Sequence, residues 1–297
     1  YQHIPKVTMY GSARTAEDAP NYKLAAEFAR TMAEDEGWMV VTGAGPGIMR
    51  AGNQGAGIEK SFGVAIRLPF EASNNEFLHE SRLINFKYFF TRKLMFVKES
   101  DAFVMFPGGF GTQDEAFELL TLIQTGKSVP APIVLLDPPG GTYWKRWQEF
   151  VEIELRDEGL IAADDLGLVR ITDSVDEAVE EVVGFYRTYH SIRFVGSRLV
   201  MRLTREVGDE ELADLNTRFS SIVERGEIER IEVTDAERRD DDHVHLHRIA
   251  FRFDRRSWAG VRRLIDALND ATPADADLET EGLDSFALDE TVRDNEG

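Results

Sequence analysis

Three glycine-rich segments follow short apolar runs that are typical of buried strands. They are Tyr10-Gly11-Ser12-Ala13-Arg14, Thr42-Gly43-Ala44-Gly45-Pro46-Gly47 and Pro107-Gly108-Gly109-Phe110-Gly111-Thr112. Glycine lets the backbone approach an anion closely, and a helix that begins there directs its free N–H groups and its positive end at that anion. A single glycine-rich turn is weak evidence for a site, because glycine also ends strands for purely conformational reasons. Three in one region predict a site for a nucleotide or a sugar phosphate.

The spacing of the glycines argues against two common kinds of nucleotide site. The second turn has glycines at positions 43, 45 and 47, which is not the GxGxxG spacing of dinucleotide-binding folds. The chain contains no GxxxxGK[ST] segment, so no P-loop lysine holds the phosphate. Nicotinamide cofactors and ATP hydrolysis are therefore both disfavoured.

The third turn continues into a longer motif that has a basic partner. Residues 107–115, Pro-Gly-Gly-Phe-Gly-Thr-Gln-Asp-Glu, resemble the PGGxGTxxE signature of the Lonely Guy (LOG) family, which is often labelled lysine decarboxylase-like. The Arg-Lys pair that this family carries on the preceding helix is matched by Arg92-Lys93, with Arg92 15 residues before Pro107. The turn at 42–49 is also similar to the family's second-strand turn. The resemblance covers residues 6–189 and not the last hundred residues.

This resemblance implies hydrolysis of the N-glycosidic bond of a nucleoside 5′-monophosphate, such as AMP or a cytokinin riboside monophosphate, to free base and ribose 5-phosphate. It implies that Arg92 and Glu115 form the catalytic pair. The predicted phosphate- and ribose-binding residues are Gly108, Gly109, Gly111 and Thr112, together with Gly11, Ser12, Gly43, Gly45 and Lys93. A homodimer or larger homo-oligomer is implied, and we expect no cofactor and no metal ion. The motif does not support pyridoxal phosphate chemistry, which needs a Schiff-base lysine in a dedicated site.

The two catalytic candidates also suit this reaction on chemical grounds. Cleavage of a glycosidic bond develops oxocarbenium character on the ribose, and a carboxylate such as Glu115 stabilises it while orienting or deprotonating water. Arg92 can bind phosphate or ribose hydroxyls with its planar guanidinium and help to keep Glu115 ionised. The alternatives are a carboxylate in the first helical turn that interacts with the helix dipole, and an exposed helix cation. Lys93 either contacts the substrate or pairs with a carboxylate.

The elements that must position these residues alternate along the first 190 residues. The predicted strands are 7–10, 38–42, 62–66, 102–106, 133–136 and 168–171, and the predicted helices are 19–36, 46–58, 88–99, 110–125, 143–158 and 175–189. Strands that are apolar on both faces and alternate with helices predict an α/β fold, a Rossmann-like doubly wound parallel sheet. Ligands of such sheets lie at the carboxyl ends of the strands, near the topological switch point. The glycine-rich turns are expected there.

The pattern changes after residue 190. Strands at 193–203, 228–234 and 244–253 and helices at 209–222 and 256–268 give the order β-α-β-β-α, which predicts a smaller C-terminal α+β domain of ferredoxin-like or similar type. We therefore divide the chain into a Rossmann-like LOG-type catalytic domain at 1–190, an accessory domain at 191–270 and an acidic, flexible tail at 271–297. The tail holds nine acids and one Arg, with at most a short helix at 283–288.

Two further features allow more than one interpretation. His243, His245 and His247 alternate, so on a strand they would share one face, and could bind a transition metal there. We interpret them instead as the polar outer face of a half-exposed strand. The aromatic run at residues 86–90 is interpreted as core, with a dimer contact or a base-stacking platform as alternatives.

Composition narrows the class of partner. The chain of 297 residues carries 34 Lys and Arg against 54 Asp and Glu, a net charge of −20, which argues against DNA or RNA as a partner. It has no Cys, so disulfides and thiolate chemistry are excluded. No apolar stretch approaches the roughly 20 residues of a membrane span, and we expect a cytoplasmic protein without a membrane partner.

Two other functions remain open at this level. One is a non-catalytic nucleotide-binding or regulatory protein of the same fold, and the other is a carrier of a pterin-type cofactor. The base specificity cannot be derived from these motifs, because base contacts would come from the loop at residues 70–86.

Overall fold

The computed structural model describes residues 4–66 and 75–272, and within them seven strands form one parallel sheet. The strands are β1 (Lys6–Tyr10), β2 (Met39–Thr42), β3 (Ser61–Ile66), β4 (Leu83–Phe86), β5 (Ala102–Met105), β6 (Ile133–Leu136) and β7 (Arg170–Thr172). Their order is β4-β3-β2-β1-β5-β6-β7, with every neighbouring pair parallel. The sheet therefore winds outwards in both directions from β1 and β5, and the predicted doubly wound α/β fold is confirmed.

Helices cover both faces of this sheet. They are α1 (Pro20–Glu34), α2 (Ile48–Ala56), α3 (Phe89–Lys98), α4 (Phe110–Gln124), α5 (Tyr143–Phe150, continued by a π-helical segment at Val151–Arg156) and α6 (Val175–Gly184). One core joins α1, α2 and α6 to side chains such as Val7 and Met9 of β1. A second core joins α3, α4 and α5 to the opposite face, which includes Tyr10. Successive β1 residues point to opposite faces, so Tyr10 faces α3 and α4.

The sequence pattern missed one strand of the sheet. β4 is an edge strand whose residues are partly or fully exposed, and it includes the polar Asn85. A half-exposed edge strand lacks the continuous apolar run that marked the central strands. The second helix also begins at Ile48 and not at Pro46, because Gly47 adopts a left-handed φ of 64°.

A second sheet follows in the C-terminal part. Its strands are β8 (Tyr189–Val195), β9 (Arg198–Leu203), β10 (Val223–Arg230) and β11 (His247–Phe253), and its helices are α7 (Asp209–Arg218), α8 (Asp235–Asp240) and α9 (Trp258–Asp270). The order β10-β11-β9-β8 is antiparallel throughout. The smaller antiparallel domain is thus confirmed, but the predicted order β-α-β-β-α is wrong. The segment predicted as one strand at 193–203 is a hairpin that turns at Gly196, where φ is 59°.

The N-terminal and C-terminal parts of the chain pack against each other through one apolar core. The same apolar cluster contains Val182 of α6, Ile192 of β8 and Leu264 of α9. Asn269 also fixes α9 to the connection between the sheets: its Oδ1 accepts from the Thr188 N–H at 2.8 Å. We keep residue 190 as the proposed boundary between domains, across which the core is continuous. The predicted tail and its helix at 283–288 lie, from residue 273 on, outside the described residues.

Candidate functional site

The three glycine-rich turns meet at one edge of the parallel sheet. They follow β1, β2 and β5, at the point where the sheet reverses its winding direction. The Ser12 N–H donates to the Pro107 carbonyl at 3.3 Å, and the Ile48 N–H donates to the Ser12 carbonyl at 3.1 Å, so the turns contact one another directly. They surround an open cleft of about 1070 Å³. The predicted site residues that line it are Gly11, Ser12, Gly43, Arg92, Gly108, Gly109, Gly111, Thr112 and Glu115.

Glycines of the third turn leave space that a ligand can fill. A Cβ placed on Gly109 or Gly111 would meet no atom within 4 Å. At Gly108, by contrast, a Cβ would overlap Thr112 Oγ1 and lie 2.7 Å from Thr112 Cβ. Gly108 is therefore required by the packing of the turn itself. Gly109 and Gly111 keep the entrance to the helix open.

The N-terminus of α4 faces this open space. Gly109 precedes the helix without a side-chain cap, and the first helical bond runs from the Gln113 N–H to the Gly109 carbonyl at 3.1 Å. Within the described residues, the N–H groups of Phe110, Gly111 and Thr112 donate to no backbone carbonyl. Such free N–H groups and the helix dipole together favour a bound anion.

A tyrosine that sequence reasoning did not select holds this turn in place. The Tyr143 hydroxyl donates to the Gly108 carbonyl at 2.6 Å and accepts from Gln113 Nε2 at 2.7 Å. Tyr143 is the first residue of α5 and follows the loop after β6, so it comes from the same carboxyl edge of the sheet. This position after a strand of the parallel sheet is the signal by which the sequence could have identified Tyr143.

Arg92 projects from α3 onto the second turn. Its Nε donates to the Val64 carbonyl at 2.8 Å, and its guanidinium lies 5.0 Å from the centre of the Phe96 ring. A Cβ on Gly43 would overlap Arg92 Nη2 and lie 2.6 Å from Met49 Sδ. Gly43 is therefore the residue that makes room for Arg92 at the cleft.

Glu115 is the sixth residue of α4 and lies in its second turn, whereas the alternative interpretation from the sequence places it in the first turn. Its distance from the helix start weakens the alternative of a simple dipole interaction. The side chain lines the cleft while only 9% of the residue is exposed. Burial raises the pKa of Glu115 to about 7, although the nearby charges of Lys93 and Arg92 lower it. A carboxyl with a pKa near the ambient pH can both take and return a proton.

Lys93 and Gly45, both predicted to bind substrate, do not line the cleft. Lys93 Nζ pairs with Asp114 Oδ2 at 2.7 Å and with Glu118 Oε2 at 3.0 Å, the second of the two alternatives left open by the sequence. Burial alone would lower the pKa of Lys93, but these two carboxylates outweigh it and raise the pKa. Gly45 instead gives room to Met49, whose Cε would lie 2.7 Å from a Cβ there.

A cluster of large apolar side chains is exposed beside the cleft. It comprises Tyr88, Phe89, Phe90, Leu94 and Phe110, which we call the apolar rim. Phe89 and Phe110 also line the cleft, and Phe110 is 96% exposed. The prediction that the aromatic run is core is therefore wrong for residues 88–90. The loop predicted to contact the base, 70–86, lies up to residue 74 outside the described residues.

The three alternating histidines do not share a strand face. Only His247 lies in β11, while His243 has a left-handed φ of 49° and precedes the strand. His243 Nδ1 lies 2.8 Å from Asp242 Oδ1, and its ring centre is 4.5 Å from that of His190. Among residues 4–66 and 75–272, no group of three His, Asp or Glu side chains is arranged to hold a metal ion. Likewise, no helix in these ranges is long and apolar enough to cross a membrane.

Comparison with known proteins relates this site to a family. Residues 42–182 match the model of a family described as "Possible lysine decarboxylase". No curated protein matches the chain. Similar solved structures include the molybdenum cofactor binding protein of Rippkaea orientalis, 21% identical over 61% of this chain and 96% of that one, with a TM-score of 0.42. The molybdenum cofactor carrier protein of Chlamydomonas reinhardtii is 22% identical over 59% and 94%, with a TM-score of 0.38.

DNA processing protein A of Helicobacter pylori is also similar, at 14% identity over 60% of this chain and 80% of that one, with a TM-score of 0.41. None of these structural similarities assigns a function to the chain. The matched segment contains both Arg92 and the motif at 107–115. Residues 42–182, just under half of the chain, thus match the lysine decarboxylase-like family that the LOG-type motif resembles.

Proposed function

We propose that this protein hydrolyses the N-glycosidic bond of a nucleoside 5′-monophosphate, releasing free base and ribose 5-phosphate. The observation that carries the proposal is the placement of Glu115. This buried carboxyl, with a pKa of about 7, faces the same cleft as Arg92 and the open N-terminus of α4. One helix thus offers an anion site at its start and a proton acceptor one turn later.

The geometry suggests how the reaction would proceed. The 5′-phosphate would lie at the free N–H groups beside Gly109 and Gly111, which places the ribose towards Glu115. Glu115 would take a proton from water as the water oxygen bonds to C1′. The electron pair of the C1′–N bond leaves with the base, which is then protonated. The Arg92 guanidinium would bind ribose hydroxyls or phosphate and balance the negative charge of the carboxylate.

We infer that the working form is a homodimer or a larger homo-oligomer that covers the apolar rim. Exposed apolar side chains grouped in one place are unusual on a monomer and mark an interface. The rim adjoins the cleft through Phe89 and Phe110, so a second copy seated there would also close the active site. A cytoplasmic location, which we also propose, accords with the absence of Cys from the chain.

The test is incubation of the protein with AMP, GMP, CMP, UMP and a cytokinin riboside monophosphate, with chromatography for the released base. We expect base release by the wild type and a loss of at least about 100-fold in Glu115→Ala. Glu118→Gln is the matched control: Glu118 is on the same helix, pairs with Lys93 and does not line the cleft, so activity should persist.

Failure of every nucleotide to react, with wild type and Glu115→Ala behaving alike, would refute hydrolysis. Tight nucleotide binding without turnover would then favour the non-catalytic binding protein. A co-purified chromophore would favour a cofactor carrier.

A further inference from the structure

Tyr10 lies at the end of β1 and lines the same cleft as the proposed catalytic pair. It is 7% exposed, and its ring packs edge-on against Phe96 at 5.2 Å between ring centres. The same Phe96 ring carries the Arg92 guanidinium. Among the described protein groups, the buried Tyr10 hydroxyl has no hydrogen-bond partner. An unpaired buried hydroxyl destabilises a fold, whereas a phenylalanine would fill almost the same space.

The buried carboxyl of Glu115 requires a hydrogen-bond donor, which the Tyr10 hydroxyl can provide. Within the described part of the chain, its carboxyl makes no hydrogen bond, although it is nearly buried. A buried carboxylate needs donors to remain ionised. Tyr10 can be such a donor at any physiological pH, because burial, reinforced by the charge of Glu115, raises the pKa of its hydroxyl well above the usual value. The two groups interact electrostatically without a hydrogen bond, so a change in the Glu115 side-chain rotamer is the step that would join them.

We propose that Tyr10 is a positioning residue, whose hydroxyl donates a hydrogen bond to the ionised Glu115 carboxylate when a ribose phosphate occupies the cleft. This inference rests on the hydrolysis proposed above and extends it. The bond holds one carboxylate oxygen and leaves the other to accept the proton of the attacking water. It explains why a strand end that packs against Phe96 carries a tyrosine whose hydroxyl is unpaired in the free protein.

The experiment compares Tyr10→Phe with a matched control, Tyr186→Phe. Both variants remove one buried hydroxyl oxygen. The Tyr186 hydroxyl, however, already donates to the Asp101 carbonyl at 2.6 Å and does not line the cleft. Each protein is studied by thermal unfolding and by the pH dependence of kcat between about pH 5 and 9.5, because kcat reports the pKa values of the enzyme–substrate complex, in which the proposed bond exists. We expect opposite results for the two variants.

Tyr10→Phe should unfold at the same temperature as the wild type or a higher one, since no hydrogen bond is lost. Its kcat should fall about tenfold near pH 5 and approach the wild-type value near pH 9. The acidic limb of its profile should move up by about one pH unit, the size expected for one hydrogen bond to a charged group. Tyr186→Phe should unfold at a lower temperature with an unshifted profile. A Tyr10→Phe profile that superimposes on the wild type, or falls equally at every pH, overturns the inference.

A second measurement separates this inference from the proposed function. If the wild type hydrolyses none of the nucleotides, the hydrolase proposal fails, and the Glu115 carboxyl is instead titrated by ¹³C NMR in the presence of ribose 5-phosphate. The Glu115→Gln variant assigns its resonance. A higher Glu115 pKa in Tyr10→Phe than in the wild type supports the hydrogen bond, and equal values refute it.

Discussion

Replacing Gly111 by Ala should separate stability from ligand binding. Gly111 is the second residue of α4, lacks a left-handed φ, and has no atom within 4 Å of the position its Cβ would occupy. The added methyl group therefore enters the cleft and not the core. In the free protein the substitution removes a helical glycine without creating a clash.

The expected effects have opposite signs. Alanine within a helix is favoured over glycine by roughly 0.5–1 kcal/mol, partly because it restricts the unfolded chain. For a chain of 297 residues, that raises the unfolding temperature by about 1–3 °C. In the complex, the methyl group would stand between the phosphate and the N–H groups of α4. The loss of one hydrogen bond to a charged group weakens binding by about 10- to 100-fold.

The assay is titration calorimetry with ribose 5-phosphate, accompanied by thermal unfolding of each protein. Gly208→Ala is the control, because Gly208 also lies at a helix N-terminus, that of α7, with open space around its Cβ, but outside the cleft. It should bind ribose 5-phosphate like the wild type. Wild-type affinity in Gly111→Ala would refute the placement of the phosphate at α4, whatever the change in stability.

Three further predictions concern the ionisation of Glu115, the role of Arg92 and the apolar rim. The pKa of Glu115 is raised from 4.5 to about 7, so its ionisation opposes folding: the wild type loses stability as the pH rises from 4.5 to 7. In urea unfolding, the free energy of unfolding of Glu115→Gln should therefore exceed that of the wild type by about 3 kcal/mol at pH 8 and equal it below pH 4.5. A difference between the two proteins that does not change with pH would contradict the raised pKa of Glu115. Gly43→Ala should displace Arg92 and lower kcat/KM about 10- to 100-fold, and unchanged kinetics would show that Arg92 has no role. Phe90→Asp should shift the protein towards monomer in sedimentation velocity, and an unaltered distribution would place the interface elsewhere.

Much of the parallel sheet was predictable because its signals are local. Runs such as Val7–Tyr10 and Ile133–Leu136 are largely apolar on both faces, which is typical of strands covered by helices on both sides. The helices between them show the helical periodicity of apolar residues. Other elements lacked such signals. The edge strand at Leu83–Phe86 is half exposed, and the hairpin at Gly196 interrupts a run that is apolar on both sides of the turn.

Part of the candidate site was also predictable from local sequence. The residue types and spacing of 107–115 and of Arg92 are sequence properties, since the glycine-rich turn and the carboxylate that follows it are encoded within one short segment. The sequence also implied that turns after different strands would converge, because parallel strands present their carboxyl ends at one edge.

Only the tertiary structure decided what these groups can do. Long-range packing buries Glu115 and raises its pKa, pairs Lys93 with Asp114 and Glu118 away from the cleft, and places Tyr10 and Tyr143 beside residues distant in the chain. It likewise left the apolar rim exposed, which local hydrophobicity could not distinguish from core. Burial and electrostatic surroundings depend on which segments pack together. The sequence by itself determined the fold class and the reactive side chains, and the packing determined their protonation, their partners and their access to the cleft.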